Sequence, residues 1–320
     1  MKKPIVGTWM EVSHHSRVEG KYWDAACRNF TAEQWEAKID ELASVGMRYI
    51  VLLDTAIVYD EYSESYFETD IFPFADMACK DPMGAVLTAA DRNGMKVFVS
   101  CGFYGNCYRA LNNMTSPEVT ERAFKAMEQL WEKYGHHESF YGWYFPDETC
   151  IAGHFHPDFM DYVNRYSAHA RKIAPGTKTL IAPYGTRILV TDEEYIQQLR
   201  NLDVDIVAYQ DEVGVKKTPV DRTERIFERL RKAHDKAGRA ELWADIELFT
   251  FEGAVYNSAL IPADFRRVKK QLENAAPYCD KILCYQYPGI MNPADSPVFA
   301  GHESSSALHN EYKKYLEEIK

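Results

Sequence analysis

The sequence predicts an α/β protein folded as a single (β/α)8 TIM barrel, on three observations. Eight short runs rich in β-branched and aromatic residues recur along the 320 residues, and amphipathic segments with explicit helix-start signals lie between them. Strand starts return at a mean spacing of about 40 residues, the cadence of a strand-loop-helix-loop unit in a parallel sheet. An open doubly wound sheet is the rival, but it usually carries fewer strands and often a glycine-rich phosphate turn after the first. Neither G-x-G-x-x-G nor G-x-x-x-x-G-K occurs. No linker, low-complexity stretch or charge block divides the chain, so residues 1–320 read as one barrel domain.

The runs, in order, are Pro4 to Met10, Tyr49 to Asp54, Lys96 to Gly102, Tyr141 to Asp147, Lys178 to Pro183, Ile206 to Gln210, Glu241 to Glu247 and Lys281 to Tyr287. After the first, Thr31 with Gln34 has capping-box spacing, in which each end satisfies an orphan backbone donor of the helix start. Thr191 with Glu194 repeats it after the fifth. Asp81-Pro82, Ser116-Pro117 and Thr218-Pro219 place a cap residue before a proline at the first helical position, where the missing N–H costs nothing. His156-Pro157 and Ile261-Pro262 are weaker versions of that signal.

Charge then limits partners. With 37 Lys and Arg against 48 Asp and Glu, the net charge is -11 and no long basic run offers a footprint for nucleic acid or a membrane surface. No stretch approaches 18 apolar residues, and the N-terminus lacks the apolar run of a signal peptide, which points to a cytoplasmic location. Seven Cys form no C-x-x-C pair and no zinc-like spacing, and read as mostly reduced. Cys101 and Cys107, near the end of the third run, lack a clear activating partner and read as structural. Aromatic residues are abundant at 13%, and the question is how many fill the core and how many form a binding surface.

In such barrels the site is built at the C-terminal ends of the strands. Run four ends Trp143-Tyr144-Phe145-Pro146-Asp147-Glu148, run six ends Ala208-Tyr209-Gln210-Asp211-Glu212, and run seven carries Trp243, Asp245 and Glu247 at alternate positions on one face. Paired carboxyls facing a concave pocket are what glycosidic cleavage requires, one protonating the leaving oxygen and the other attacking or activating water. Glu148 and Glu247 are the natural pair, with Asp211 the third catalytic candidate. Asp147 and Glu148 are adjacent, so one is the acid and the other orients a neighbour, and the alternation does not say which.

Rings accompany these acids at nearly every strand end. Trp9, Trp143, Tyr144, Tyr209, Trp243, Phe249, Tyr285 and Tyr287 could cover the apolar C–H faces of a sugar, or simply pack the core. Glu11, Asp147, Tyr184, Arg187, Gln210, Asp245 and Gln286 add polar groups for its hydroxyls, so these and Trp9, Trp143, Tyr209, Trp243 and Tyr285 are the substrate-binding candidates. His14-His15, His136-His137 and His154-x-His156 raise a metal alternative, but none ends the first strand as an H-x-H would in a metal-dependent barrel hydrolase. No metal or other cofactor is expected.

These residues resemble a bacterial TIM-barrel family of unknown function whose members are labelled candidate glycosyl hydrolases and are often found in gut Bacteroidetes. The likeness rests on Gly7-Thr8-Trp9, Tyr141 to Glu148, Ala182-Pro183-Tyr184, Ala208 to Asp211 with Val213-Gly214, Trp243 to Phe249, and Tyr285-Gln286-Tyr287-Pro288, and it spans nearly the whole chain. It implies a barrel and a carbohydrate substrate. The placement is also similar to the large glycosidase clan with its acid/base after strand four and its nucleophile after strand seven, which would make Glu148 the acid/base, Glu247 the nucleophile and the outcome retention. Many members of that clan carry Asn before the strand-four Glu, where this chain has Asp147. The expectation is therefore a two-carboxylate glycosidase. The alternatives are a non-catalytic carbohydrate-binding barrel and a metal-dependent sugar hydrolase or isomerase.

Overall fold

The computed structural model describes residues 2–320, and in it the eight runs close into one parallel barrel. The staves are β1 (Gly7–Met10), β2 (Tyr49–Leu52), β3 (Lys96–Ser100), β4 (Phe140–Tyr144), β5 (Lys178–Ile181), β6 (Ile206–Gln210), β7 (Glu241–Glu247) and β8 (Lys281–Tyr285). They neighbour one another in chain order, and β1 closes the ring by pairing Gly7 with Leu283 of β8 and with Tyr49 of β2. Each stave is followed by an outer helix: α1 (Ala32–Ser44), α2 (Pro82–Arg92), α3 (Pro117–Tyr134), α4 (Pro157–Ile173), α5 (Glu193–Asn201), α6 (Thr223–Ala237), α7 (Phe265–Ala275) and α8 (Ser305–Glu318). No helix among the described residues is long and apolar enough to cross a membrane.

The start signals divide. Thr31 forms the full capping box, its hydroxyl accepting from the Gln34 N–H while Gln34 Oε1 accepts from the Thr31 N–H at 2.9 Å. Asp81, Ser116 and His156 cap α2, α3 and α4, the last through its ring Nδ1. Three starts shift. The cap of α5 is Asp192 rather than Thr191, because the Asp192 carboxylate reaches the Tyr195 N–H at 3.1 Å. Thr218-Pro219 leads into a single 3-10 turn, Val220–Arg222, and α6 begins only after it. Ile261-Pro262 ends a hairpin strand, Leu260–Pro262, paired antiparallel with Phe249–Phe251, and α7 is capped by Asp264 instead.

Alternation along the staves sorts side chains into two apolar layers. Val51, Phe98, Leu180, Ile206, Trp243 and Leu283 fill the barrel, with Trp9, Tyr144, Ala182 and Ala208 in the same cluster. A second, larger layer lies between staves and helices and takes in Trp143, Phe145, Tyr162, Tyr195 and Tyr209. Most of the aromatic excess is thus core. Residues 11, 54, 147, 211, 245 and 247 are nevertheless buried carboxyls at the strand ends, and each buried acid has to be explained by its partners.

Candidate active site

A cavity of about 420 Å³ opens at the C-terminal end of the barrel, with wall residues supplied from all eight strand ends. Trp9 and Tyr285 form part of one side with His14, His15 and Glu19 of the β1 loop; Phe103 and Tyr108 follow β3; Pro146 and Glu148 follow β4; Tyr184 follows β5. Gln210, Glu212 and Lys217 come from the end of β6, and Asp245, Glu247, Phe249 and Tyr256 from β7 and its hairpin.

Glu148 is held by two donors. The Tyr144 hydroxyl, pointing into the barrel from the same stave, donates to Oε1 at 2.7 Å, and the Gln210 amide donates to Oε2 at 2.7 Å while its other N–H holds the Ala182 carbonyl at 2.8 Å. Burial pushes the Glu148 carboxyl up to about 7, against the lowering effect of those two hydrogen bonds. The adjacent Asp147 turns the other way, into the protein, where Asn113 Nδ2 donates to it at 2.9 Å. Of the two acids that end run four, Glu148 faces the cavity and Asp147 does not.

Glu247 has one donor and acidic neighbours. Its Oε2 accepts from the Val215 N–H at 2.9 Å, in a turn that Gly214 permits, because a Cβ there would come within 3.0 Å of the Glu247 side chain and 2.7 Å of the Phe249 carbonyl. Asp211 sits behind it, outside the cavity wall, accepting from Gln271 Nε2 at 2.6 Å and from the Val213 N–H at 3.2 Å. Arg267 reaches in from α7 to hold the carbonyls of Glu247 and Phe249 at 2.7 and 2.8 Å. Burial raises both acids of this pair, and the charge on Asp211 raises Glu247 further. The two titrate as one system, and Asp211 is the better supplied with donors. Asp245, one pleat below Glu247, lines the cavity with Oδ1 unpartnered, and burial keeps it well above the ordinary carboxyl range.

Glu11 anchors the neighbouring wall, at β1 and β8, from behind. It accepts from Trp23 Nε1 at 3.1 Å, from the Tyr285 hydroxyl at 3.0 Å and from Gln286 Nε2 at 2.6 Å, and burial pushes it to about 7. Its effect on the cavity passes through Tyr285, which it fixes. His14 is neutral: burial drives it down to about 3, and its Nδ1 accepts from the Ser16 N–H, so its proton sits on Nε2.

The expected residues thus separate. Trp9, Glu148, Tyr184, Gln210, Asp245, Glu247 and Tyr285 line one cavity. Glu11, Asp147, Asp211 and Gln286 stand behind the wall. Trp143 and Tyr209 point outward to the helices, the Tyr209 hydroxyl lying 2.9 Å from His234 of α6 and also bonded to Tyr195 of α5. Trp243 faces inward but lies at the floor, with its Nε1 on Glu241 at 2.8 Å. Arg187 is 38% exposed and reaches only to 4.0 Å from Glu212. Glu19, Lys217, Tyr108 and Tyr256 also line the cavity from loops with no periodic pattern, and Glu212, which ends run six, lines it beside Gln210. Of the histidines, His154 pairs with Asp192 and His137 with Asp91, away from the cavity, and no cluster of three or more His, Cys, Asp or Glu among the described residues is arranged to hold a metal ion.

Comparison with known proteins places this architecture. A candidate alpha-L-fucosidase from Bacteroides thetaiotaomicron superposes with a TM-score of 0.75 at 18% identity, over 99% of this chain and 96% of that one. An endo-1,4-beta-mannanase from Rhizomucor miehei gives 0.61 at 11% identity, over 98% and 95%. A beta-galactosidase from the psychrophilic Marinomonas ef1 gives 0.63 at 9% identity, over 98% of this chain and 59% of that one. At these identities the likeness is one of fold. No curated protein sequence matches the chain. Residues 5–301 match the family described as a domain of unknown function, DUF4434, and the chain therefore belongs to that family of TIM barrels.

Proposed function

We propose that the protein hydrolyses a glycosidic bond with Glu148 and Glu247. The observation that carries this reading is that two carboxyls, the half-buried Glu148 following β4 and the buried Glu247 ending β7, face a single cavity partly walled by aromatic rings. Glycosidases as structural neighbours support it.

Glu148 is the acid/base. A carboxyl titrating near neutrality gives and takes a proton at small cost, and its two fixed donors keep it oriented in both states. In the first step the Glu148 proton passes to the leaving oxygen as the C1–O bond breaks, and Glu247 bonds to C1 through a carboxylate oxygen. In the second, Glu148 takes a proton from water as the water oxygen bonds to C1, the glycosyl ester breaks and Glu247 is restored. Asp211 acts on this step as a positioning residue, fixing the backbone around Glu247. Retention requires the two carboxyls to stand about 5–5.5 Å apart, and inversion about 6.5–9.5 Å.

The test is a panel of aryl glycosides and natural oligosaccharides assayed with wild type, Glu148→Gln and Glu247→Gln, with proton NMR of the first anomer released. Turnover by wild type, its loss in both variants and an unchanged anomeric configuration are expected. Saccharide binding without turnover would make the barrel a binding protein, and an inverted product would remove the covalent step.

A further inference from the structure

The cavity is at the small end of the roughly 300–1,000 Å³ of ligand pockets, yet the surface around its mouth is dressed for contact. Six large apolar or aromatic side chains are exposed among the described residues, Val18, Tyr108, Leu111, Ile188, Val190 and Tyr256, and all six lie between the C-terminal end of a stave and the outer helix that follows it, Leu111 in a short helix, Ala110–Thr115, and Ile188 in a 3-10 turn. Scattered exposed apolar residues need no explanation, but confinement to one face marks a contact surface.

Two of the six also line the cavity. Tyr108, 63% exposed, follows β3, and Tyr256, 47% exposed, is in the hairpin after β7. In an eight-stave ring β3 and β7 are four places apart in either direction, so the two rings rise from opposite sides of the mouth. Both are fixed in place. The Tyr108 hydroxyl donates to the His15 carbonyl at 3.0 Å and its ring meets the His15 ring edge-on at 6.1 Å. Lys217 lies 5.5 Å from the Tyr256 ring and 5.0 Å from the Tyr184 ring, and Phe251 supports Tyr256 edge-on.

The backbone is strained at the same place. Among the described residues three non-glycine residues have left-handed φ, Tyr256 at 61°, Glu212 at 55° and Lys216 at 59°, and all three belong to the two loops that meet at this edge of the cavity. Such a conformation costs on the order of 1 kcal/mol for a residue with a Cβ and persists where the surroundings over-determine it. Five carboxyls and one lysine line the cavity, which favours a neutral sugar over an acidic one.

We propose that a neutral saccharide chain longer than the cavity crosses the barrel mouth between Tyr108 and Tyr256, so that the substrate is an oligosaccharide or polysaccharide. This rests on the carbohydrate reading above and adds the length and charge of the ligand. The test uses an array of neutral and uronate-containing glycans of one to six residues spanning common hexose, pentose and deoxyhexose linkages, followed by calorimetry on the best two-residue ligand and its six-residue homologue. Wild type should bind the six-residue ligand at least about tenfold more tightly, a difference of about 1.4 kcal/mol, since the longer chain can lay apolar C–H faces on both rings. Tyr108→Ala/Tyr256→Ala should lose that gain, and Tyr108→Phe/Tyr256→Phe, which keeps both rings, should restore it. Equal affinity at both lengths in wild type, a gain that survives the double alanine variant, or preference for uronates overturns the proposal while leaving the glycosidase reading intact. No binding to any glycan on the array, with no hydrolysis, counts against the carbohydrate reading itself.

Discussion

The two ends of this barrel are built from the same ingredients and treat charge in opposite ways. At the floor, Trp243 packs edge-on against Tyr49 and Phe98, and Phe98 against Tyr141. Lysines cover these rings, Lys96 over Tyr141 at 4.3 Å and Lys281 over Trp243 at 4.7 Å, and the charges are matched, Lys281 by Glu241 and Lys178 by Asp205. At the mouth, rings again line the barrel, but Glu148 is half-buried and Asp245, Glu247 and the supporting Glu11, Asp147 and Asp211 are buried, with hydroxyls, amides and backbone N–H groups as the main partners of these acids. A fold needing only stability would balance the mouth as it balances the floor. The imbalance raises carboxyl pKa values toward neutrality, which costs stability and supplies proton-transfer groups.

Removing the mouth acids should have the largest effect. Glu148→Gln and Glu247→Gln are each expected to cut kcat/KM by about 10²–10⁴-fold while remaining folded, as read by steady-state kinetics beside circular dichroism. Near wild-type turnover in either would dissociate that residue from the chemistry. The floor answers in stability instead: Trp243→Ala leaves a cavity under Tyr49 and Phe98 and should cost about 3–5 kcal/mol in denaturant unfolding. A loss under about 1 kcal/mol would mean that the floor is not a packed support.

The pH dependence separates the ends next. Glu11, Glu19, Asp24, Asp147 and Glu148 all titrate near 7 in the folded protein, raised from 4.5 or 3.8 chiefly by burial. Groups raised on folding give stability that is fully present below their unfolded values and is lost as pH rises through the folded ones. Melting temperature should therefore fall between about pH 5 and pH 8. Glu148→Gln should flatten that fall and stabilise the protein at pH 8 by up to about 3 kcal/mol. Activity should be bell-shaped in pH, because Glu148 and Glu247 must carry one proton between them. The smallest effect belongs to the outer layer, where Tyr209→Phe removes a hydroxyl shared with Tyr195 and His234 and should cost about 1 kcal/mol of stability without changing KM. A change in KM would return Tyr209 to the binding surface.

The same contrast explains what could be read in the sequence. All eight staves were legible because each is a compact β-branched or aromatic run between turn residues. The inward face of β7 was legible too, since Trp243, Asp245 and Glu247 alternate cleanly. Phase was not legible where neighbours are both aromatic or polar. Trp143 and Tyr144 are consecutive, as are Tyr209 and Gln210, so one of each pair has to point outward, and only closure of the barrel reveals which. Depth was not legible either: Trp243 and Glu247 share a face, yet one is floor and the other mouth. Lys217, Glu212 and Tyr256 reach the cavity through left-handed turns or loops that leave no periodic trace.

The central claim is that Glu247 attacks the sugar while Glu148 handles the proton. It is tested most directly by incubating the protein with a 2-deoxy-2-fluoro glycosyl fluoride of whichever sugar it hydrolyses, which slows release of the glycosyl ester, and locating the adduct by peptide mass spectrometry. A single glycosyl adduct on Glu247, still formed in Glu148→Gln, is predicted. An adduct on Glu148 or Asp211, or hydrolysis with no adduct at any residue, would contradict the account.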